Sequence, residues 1–205
     1  MRAGTMLSGQ QPAPWGADTA PDGGGARDIQ LIGRIVRRDP RAFEELYRAY
    51  HPRLSRFLFN ILRRTQVAEE VLNDTLLVVW RKPERYNGRS KVSTWIFAIA
   101  YRQAMKALSR CDDPVEDSQA EARPSGEAGP EQQLGRRQAK DVLLRAIGEL
   151  SADHRAVIDL TYFHEIGYRE IAELMECPQD TVKTRMFHAR RHLKNKLSGE
   201  LADWL

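Results

Sequence analysis

The sequence predicts an all-α protein of two small helical domains joined by a flexible acidic linker. Three observations carry this. Large apolar residues recur at spacings of three and four through both halves of the chain. No stretch alternates in the manner of a strand. Residues 111–131, CDDPVEDSQAEARPSGEAGPE, are acidic, contain Pro and Gly, and hold almost no large apolar side chain, the composition of a joint rather than a core. This joint separates units at 29–110 and 132–198 of the 205 residues, each long enough to bury a core. Residues 1–28, with GQQPAPWG and PDGGGAR, read as a disordered tail, and 199–205 as a C-terminal tail.

In the first unit, Leu31, Ile32, Ile35 and Val36 mark a short helix. Asp39-Pro40 is the clearest start signal: an N-cap, then Pro at the first helical position, where its missing N–H costs nothing. Phe43, Leu46, Tyr47 and Tyr50 follow at helical spacing. His51-Pro52 restarts the chain into Leu54, Phe57, Leu58, Ile61 and Leu62. Thr65 is placed to cap a helix carrying Val67, Val71, Leu72, Leu76, Val79 and Trp80, which Pro83 ends. From Pro83 to Val92 the chain is polar and basic around Asn87-Gly88, a loop. Ser93 or Thr94 then caps a helix through Trp95, Ile96, Ile99, Ala100, Met105 and Leu108.

The second unit starts with a helix from about Gln132 to Leu150, with Val142, Leu143, Ile147 and Leu150 inward. Ser151 caps the next, through Val157, Ile158, Leu160 and Tyr162. A turn at His164-Glu165-Ile166-Gly167 leads into a short helix, Tyr168 to Met175. Cys177-Pro178-Gln179 breaks it, and Asp180 or Thr181 opens a last long helix to about Leu197. A short helix, a tight break and a longer helix form the pattern of a helix-turn-helix. In the last helix, Val182, Met186, Ala189 and Leu193 make an apolar back. Six Lys or Arg and no acid lie between Thr181 and Ser198, whereas the 40 residues before them hold nine acids. An apolar back and a cationic front suit a helix that meets base edges and phosphates.

Charge is segmented along the chain. The first unit carries 17 basic and 7 acidic residues, net +10, and residues 111–134 carry 1 and 7, net −6. A +10 block in 82 residues points to a polyanion partner. No apolar run reaches the ~18 residues that span a bilayer, and the N-terminus lacks a basic head before an apolar stretch. Two cysteines, Cys111 and Cys177, are too few for a disulfide scaffold and suit a reducing cytoplasm. No Gly-rich phosphate loop, nucleophile elbow or Cys-x-x-Cys suggests an enzyme. His188 and His192 have a chelating i, i+4 spacing, but no third ligand is set beside them, and Arg190 and Arg191 repel a cation. No cofactor, metal or small-molecule substrate is expected. Cys111 opens the linker, where a redox role stands beside an incidental one.

Three stretches together resemble the sigma-70 family of RNA polymerase sigma factors, in its extracytoplasmic-function (ECF) group. AEEVLNDTLLVVWRKPERY, Ala68 to Tyr86, is similar to the core-polymerase-binding helix of region 2. STWIFAIAYRQAMKALSR, Ser93 to Arg110, is similar to the helix that reads and melts the −10 element. YREIAELMECPQDTVKTRMFHARRHLK, Tyr168 to Lys194, is similar to the −35-binding helix-turn-helix of region 4. The resemblance covers about residues 29–198. It implies a transcription initiation factor that binds core RNA polymerase, through the largest subunit's clamp helices and through the flap, and that binds promoter DNA. It also implies an anti-sigma partner, a cytoplasmic location and no insertion into a membrane.

By match to the family's motifs, Asn73, Asp74, Leu77, Trp80 and Arg81 would contact polymerase, with plain core packing an equal reading for Trp80. Arg85, Tyr86, Asn87, Arg89, Lys91, Trp95, Arg102 and Lys106 would serve the −10 strand: cations on phosphates, and Tyr86 stacking a base. Many members have Arg, Asn and Asp where this chain has Ala98, Arg102 and Lys106, so here the −10 pattern departs from the family's. Thr181, Thr184, Arg185 and His188 would reach −35 bases, and Lys183, Arg190, Arg191 and Lys194 phosphates. Asp180 replaces the family's Gly and is positioned to cap. The linker is either a solvated spacer or, as in the family, a segment that threads near the RNA path. A stand-alone helix-turn-helix regulator is the alternative. It would share the second unit without needing the Asn73–Arg81 surface.

Overall fold

The computed structural model describes residues 23–110 and 142–201, and every described element is helical. The first unit holds α1 (Gly23–Val36), α2 (Pro40–Leu62), α3 (Thr65–Arg81), a 3-10 turn (Pro83–Arg85) and α4 (Val92–Arg110). The second holds α5 (142–148), α6 (Ala152–Tyr162), α7 (Tyr168–Leu174) and α8 (Gln179–Leu201). The linker reading, Cys111 and the start of the second unit at 132 lie outside the described residues.

Asp39 caps α2 as the sequence predicts: its side chain accepts from the N–H groups of Arg41 and Ala42, and Pro40 fills the first helical position. The predicted restart at Pro52 does not occur, and α2 runs through it for 23 residues. A Pro inside a helix gives up one hydrogen bond. Here one unbroken buried stripe, Leu46, Tyr50, Leu54, Phe57 and Ile61, holds both sides of Pro52 in register. At the end of α2, Arg63 takes a left-handed φ of 59° and returns its N–H to Phe59 O.

Four predicted boundaries shift. Arg64, not Thr65, sits at the N-cap of α3, with no side-chain cap bond. The fourth helix begins at Val92, so Ser93 and Thr94 lie inside it. Thr94 is buried and turned toward the second unit. The first helix begins at Gly23, before the predicted end of the tail at 28. It is tied down there, because the Tyr50 hydroxyl donates to Asp28 and Arg27 pairs with Glu45. The last helix starts at Gln179, which leaves Asp180 within its first turn, where a carboxylate suits the positive end of the helix dipole, and extends to Leu201. In α5, Ala146 is buried while Leu143, predicted inward, is exposed. Ser151 does cap α6, accepting from His154 N–H.

The first unit's core is built on α2, which packs against α1, α3 and α4. The second unit's core joins α6, α7 and α8 through Leu160, Ile171, Leu174, Val182 and Met186. The two cores are continuous: α6 lies on α2, and α7 lies on α4.

Candidate nucleic-acid and polymerase interface

Three surfaces carry the residues singled out by sequence. The first is an open groove of about 410 Å³ between α3 and α4, lined in part by Val71, Asp74, Leu77, Arg81, Lys106 and Arg110. Asn73, Asp74, Leu77 and Arg81 all face solvent on α3, and Leu77 is an exposed leucine on an otherwise charged ridge. Trp80 stands apart. It is half-buried, its ring centroid 5.1 Å from that of Phe43, and the Arg38 guanidinium lies 5.8 Å over its face. Arg38 also donates to Trp80 O and Arg81 O, holding the end of α3 to the α1–α2 turn. Trp80 is thus packed against α1 and α2 while keeping part of its surface in solvent. Lys106, predicted with the −10 group, lines this groove beside Asp74.

The second surface is the loop before α4. Asn87 and Gly88 form its tip: Asn87 Oδ1 accepts from Arg89 N–H, and Gly88 takes a φ of +72° that a side chain would resist. The Tyr86 hydroxyl donates to Ser90 O, and its ring packs 5.5 Å from Trp95. Both rings are half-buried against the core, and burial pushes the Tyr86 phenol up from its ordinary value. Arg85 and Arg89 are exposed on the loop. Lys91 and Arg102 are exposed too, but each meets a carboxylate of the second unit: Lys91 Nζ is 3.6 Å from Glu170, and Arg102 Nη1 is 3.1 Å from Glu176.

The third surface is α8. Its back is buried as predicted, with Val182, Met186 and Ala189 enclosed and Leu193 partly so. The turn before it ends α7 with a left-handed Glu176, and Cys177 N–H reaches back to Ala172 O. Cys177 is half-buried there and receives Arg185 Nη1 at 3.8 Å. Lys183, Thr184, His188, Arg190, Arg191 and Lys194 face outward, and Thr181 is half-exposed. Several already hold local partners. Lys183 pairs with Asp180, Thr184 donates to Asp180 O, and Arg190 donates to the Tyr162 hydroxyl. Arg185 does not join the outward set: its guanidinium turns onto Asp153, which also accepts from the Tyr101 hydroxyl of α4. Burial and the Asp153 bond drive the Tyr101 phenol far up.

His188 and His192 form no chelate. His192 lies 3.3 Å from Glu149, which also pairs with Lys196, and His188 faces Phe187 and His154. Among the described residues no group of three His, Cys, Asp or Glu side chains could hold a metal ion. Burial and the neighbouring His188 and Arg185 pull His154 below its ordinary value. The sequence reading passed over Phe187, which is 62% exposed on the cationic face of α8 beside Lys183, Arg190 and Arg191. The signal was available, because position 187 falls outside the 182, 186, 189, 193 stripe. It also passed over Asn60, Asp159 and His164, which meet between the units. An acid inside the run Val157-Ile158-Asp159-Leu160 was the clue there. No helix among the described residues is long and apolar enough to cross a membrane.

Comparison with known proteins gives a consistent picture. Family models for "Sigma-70 region 2" and "Sigma-70, region 4" match residues 46–112 and 140–193. The chain is 30% identical over 174 residues to the "ECF RNA polymerase sigma factor RpoE" of Cereibacter sphaeroides, covering 83% of this chain and 96% of that one. It is 28% identical over 187 residues to the "RNA polymerase sigma-H factor" of Pseudomonas aeruginosa, covering 86% and 97%. Among solved structures, the sigma factor RpoE of Bartonella quintana, crystallised with the anti-sigma factor NepR, has a TM-score of 0.62 at 23% identity, covering 76% of this chain and 96% of that one. At that identity the likeness is one of fold.

Proposed function

The chain belongs to the sigma-70 family of RNA polymerase sigma factors, in its extracytoplasmic-function group, and from that premise we propose how its surfaces divide the work. The protein is a transcription initiation factor, not an enzyme: it binds core RNA polymerase and directs it to promoters. The α3–α4 groove docks polymerase, with Asp74, Leu77 and Arg81 as the contacts and Asn73 at its rim. Trp80 serves as the packing that holds that ridge in place. The loop Arg85–Lys91 and the adjoining face of α4, with Trp95 and Arg102, take the −10 strand. Arg85, Arg89, Lys91 and Arg102 meet phosphates there, and Lys106 is reassigned to the polymerase groove. Helix α8 reads −35, with Thr181, Thr184 and His188 toward bases and Lys183, Arg190, Arg191 and Lys194 toward phosphates; Arg185 reaches bases only on leaving Asp153. The factor works in the cytoplasm, under an anti-sigma partner like those crystallised with its structural neighbours.

The observation that carries this division is the pairing of two unlike surfaces on one chain. A stand-alone DNA regulator needs α8 but has no use for a sigma-70 region 2, which matches residues 46–112. Pull-down on bacterial core polymerase tests the reading. The wild type should be retained. Asp74→Arg plus Leu77→Asp should lose at least tenfold in binding with its helical circular dichroism unchanged, since both side chains face solvent. A folded wild type that polymerase does not retain sinks the reading.

A further inference from the structure

Two flanks of α8 border its outward front, and they are built differently. With 3.6 residues per turn, the front opposite the buried Val182, Met186 and Ala189 is centred on Thr184 and Arg191. One flank carries Lys183, Arg190 and Lys194 beside the exposed Phe187. The other carries Thr181, Arg185 and His192, with His188 between it and the front. Against this second flank stands the first turn of α6, which brings a residue that no assignment above uses. The His154 ring lies 6.5 Å from that of His188, edge to face. It is half-buried, and its Nδ1 is 2.6 Å from Ser151 Oγ. Ser151 Oγ also accepts from the His154 backbone N–H as the cap of α6. A hydroxyl can give its own proton to a neutral Nδ1 or accept one from a charged ring. The cap contact therefore keeps the ring in place in either protonation state, and leaves Nε2 for an outside partner.

The charged groups around His154 decide when it holds a proton. From α8 they are Arg185, His188 and His192, and from α6 itself Asp153. Asp153 is engaged by Arg185 and by the Tyr101 hydroxyl of α4. Glu149, in the turn before α6, is engaged by His192 and Lys196. Arg155 turns the other way, onto Ile61 O. Both carboxylates are thus already matched to cations. Burial first, then His188 and Arg185, pull His154 below its ordinary value of 6.5, so the free protein carries the ring neutral at pH 7. A bound duplex reverses that balance. The major groove is about 12 Å wide, close to the ~10–12 Å girth of a helix with its side chains. A helix seated there has a phosphate strand along each flank. On the second flank that strand would pass His188 and the first turn of α6, and its charge would offset that of Arg185. A hydrogen bond from an imidazolium to a phosphate oxygen is charge-assisted, and about twice as strong as a neutral one.

We propose that His154 is a DNA contact of the second unit: as α8 seats in the major groove, the imidazole takes a proton from solvent and donates a hydrogen bond from Nε2 to a phosphate oxygen beside His188. The contact rests on the −35-reading function given above and adds to it a residue outside the helix-turn-helix. It also makes that function sensitive to pH. Binding consumes a proton, so acid favours the complex and affinity rises as pH falls. By linkage, one proton taken up changes affinity by at most about tenfold per pH unit.

The test uses the full chain and a 30-base-pair duplex of mixed sequence, since a phosphate contact carries no sequence information. Fluorescence anisotropy is read at pH 6, 7 and 8 at one low ionic strength, with a dye that does not titrate in that range. His154→Gln removes the proton site, and His154→Arg makes the charge permanent. Gln30→Arg, exposed on α1 of the other unit, adds the same charge and measures the effect of net charge alone. The wild type should bind at least tenfold tighter at pH 6 than at pH 8. His154→Gln should match it at pH 8 and be at least threefold weaker at pH 6. His154→Arg should be at least threefold tighter at pH 8 than both the wild type and Gln30→Arg. All three variants should keep their helical circular dichroism. A His154→Gln that follows the wild type to pH 6 overturns the proposal, as does a His154→Arg no tighter than Gln30→Arg. So does a wild type whose binding ignores pH, and so does lost helicity in either His154 variant, which would make the residue structural. Polymerase pull-down of the same wild type is read separately. Retention on polymerase with unmoved His154 variants sinks the contact alone, whereas no retention sinks the function on which it rests.

Discussion

Helices α2 and α8 are both 23 residues long, yet they are built on opposite plans. Helix α2 buries Ala42, Leu46, Tyr50, Leu54, Phe57, Leu58, Ile61 and Leu62, a stripe that runs its length and touches neighbours on several sides. Among its described residues, α8 encloses only Val182, Met186 and Ala189, all in its first half. The rest of its described surface presents Lys183, Arg190, Arg191 and Lys194, with Phe187 exposed among them. The first helix is held by the protein. The second is docked at one end so that the remainder can be offered to something else. Length and helical periodicity are the same in both, and what separates structural from presenting helices is how far the buried stripe extends.

Truncations in the two helices should separate those plans. The largest effect is expected from Phe57→Ala. Phe57 is fully buried, stacks edge-on to Phe97 at 5.1 Å, and lies 6.0 Å from the His164 ring of the second unit. Losing it should cost about 3–5 kcal/mol in urea unfolding. Met186→Ala should cost about 2–5 kcal/mol by the same logic, toward the lower end because α8 has neighbours on one side only. Its signature should differ. The second unit should loosen and −35 duplex binding fall, while polymerase retention through the α3 ridge persists. Equal losses of both activities in Met186→Ala would mean that the two plans are not separable. The smallest effect is Asp39→Ala at the start of α2. Arg34, and the Ala42 and Arg41 N–H groups, hold the Asp39 carboxyl below its ordinary value of 3.8. A carboxyl whose folded pKa is depressed stabilises the fold above its unfolded pKa and loses that contribution as pH falls through the folded one. The variant should therefore melt slightly lower than wild type at pH 7, and the gap should close below pH 3.8. A gap that persists in acid would show that the cap works by shape rather than charge.

Much of this was legible in the sequence because it is local. Asp39-Pro40, Ser151 and the 182, 186, 189 stripe each depend on residues within one or two turns, and all three appear as read. The boundary at Ser93 and Thr94 shifts because a hydroxyl near a helix start has competitors, whereas at Thr65 the helix takes Arg64 as its N-cap with no side-chain bond. Thr94 spends its hydroxyl on Glu170, 76 residues away. Pro52 misled for a related reason, since a local rule gave way to a stripe of buried residues on both sides. The site was legible as a list of surfaces but not as an arrangement. Nothing in the local pattern joins Asn60 to Asp159 over 99 residues, or turns Arg185 inward onto Asp153. Motif alone also does not show that Trp80 packs on Phe43 or that Lys106 lines the groove beside Asp74.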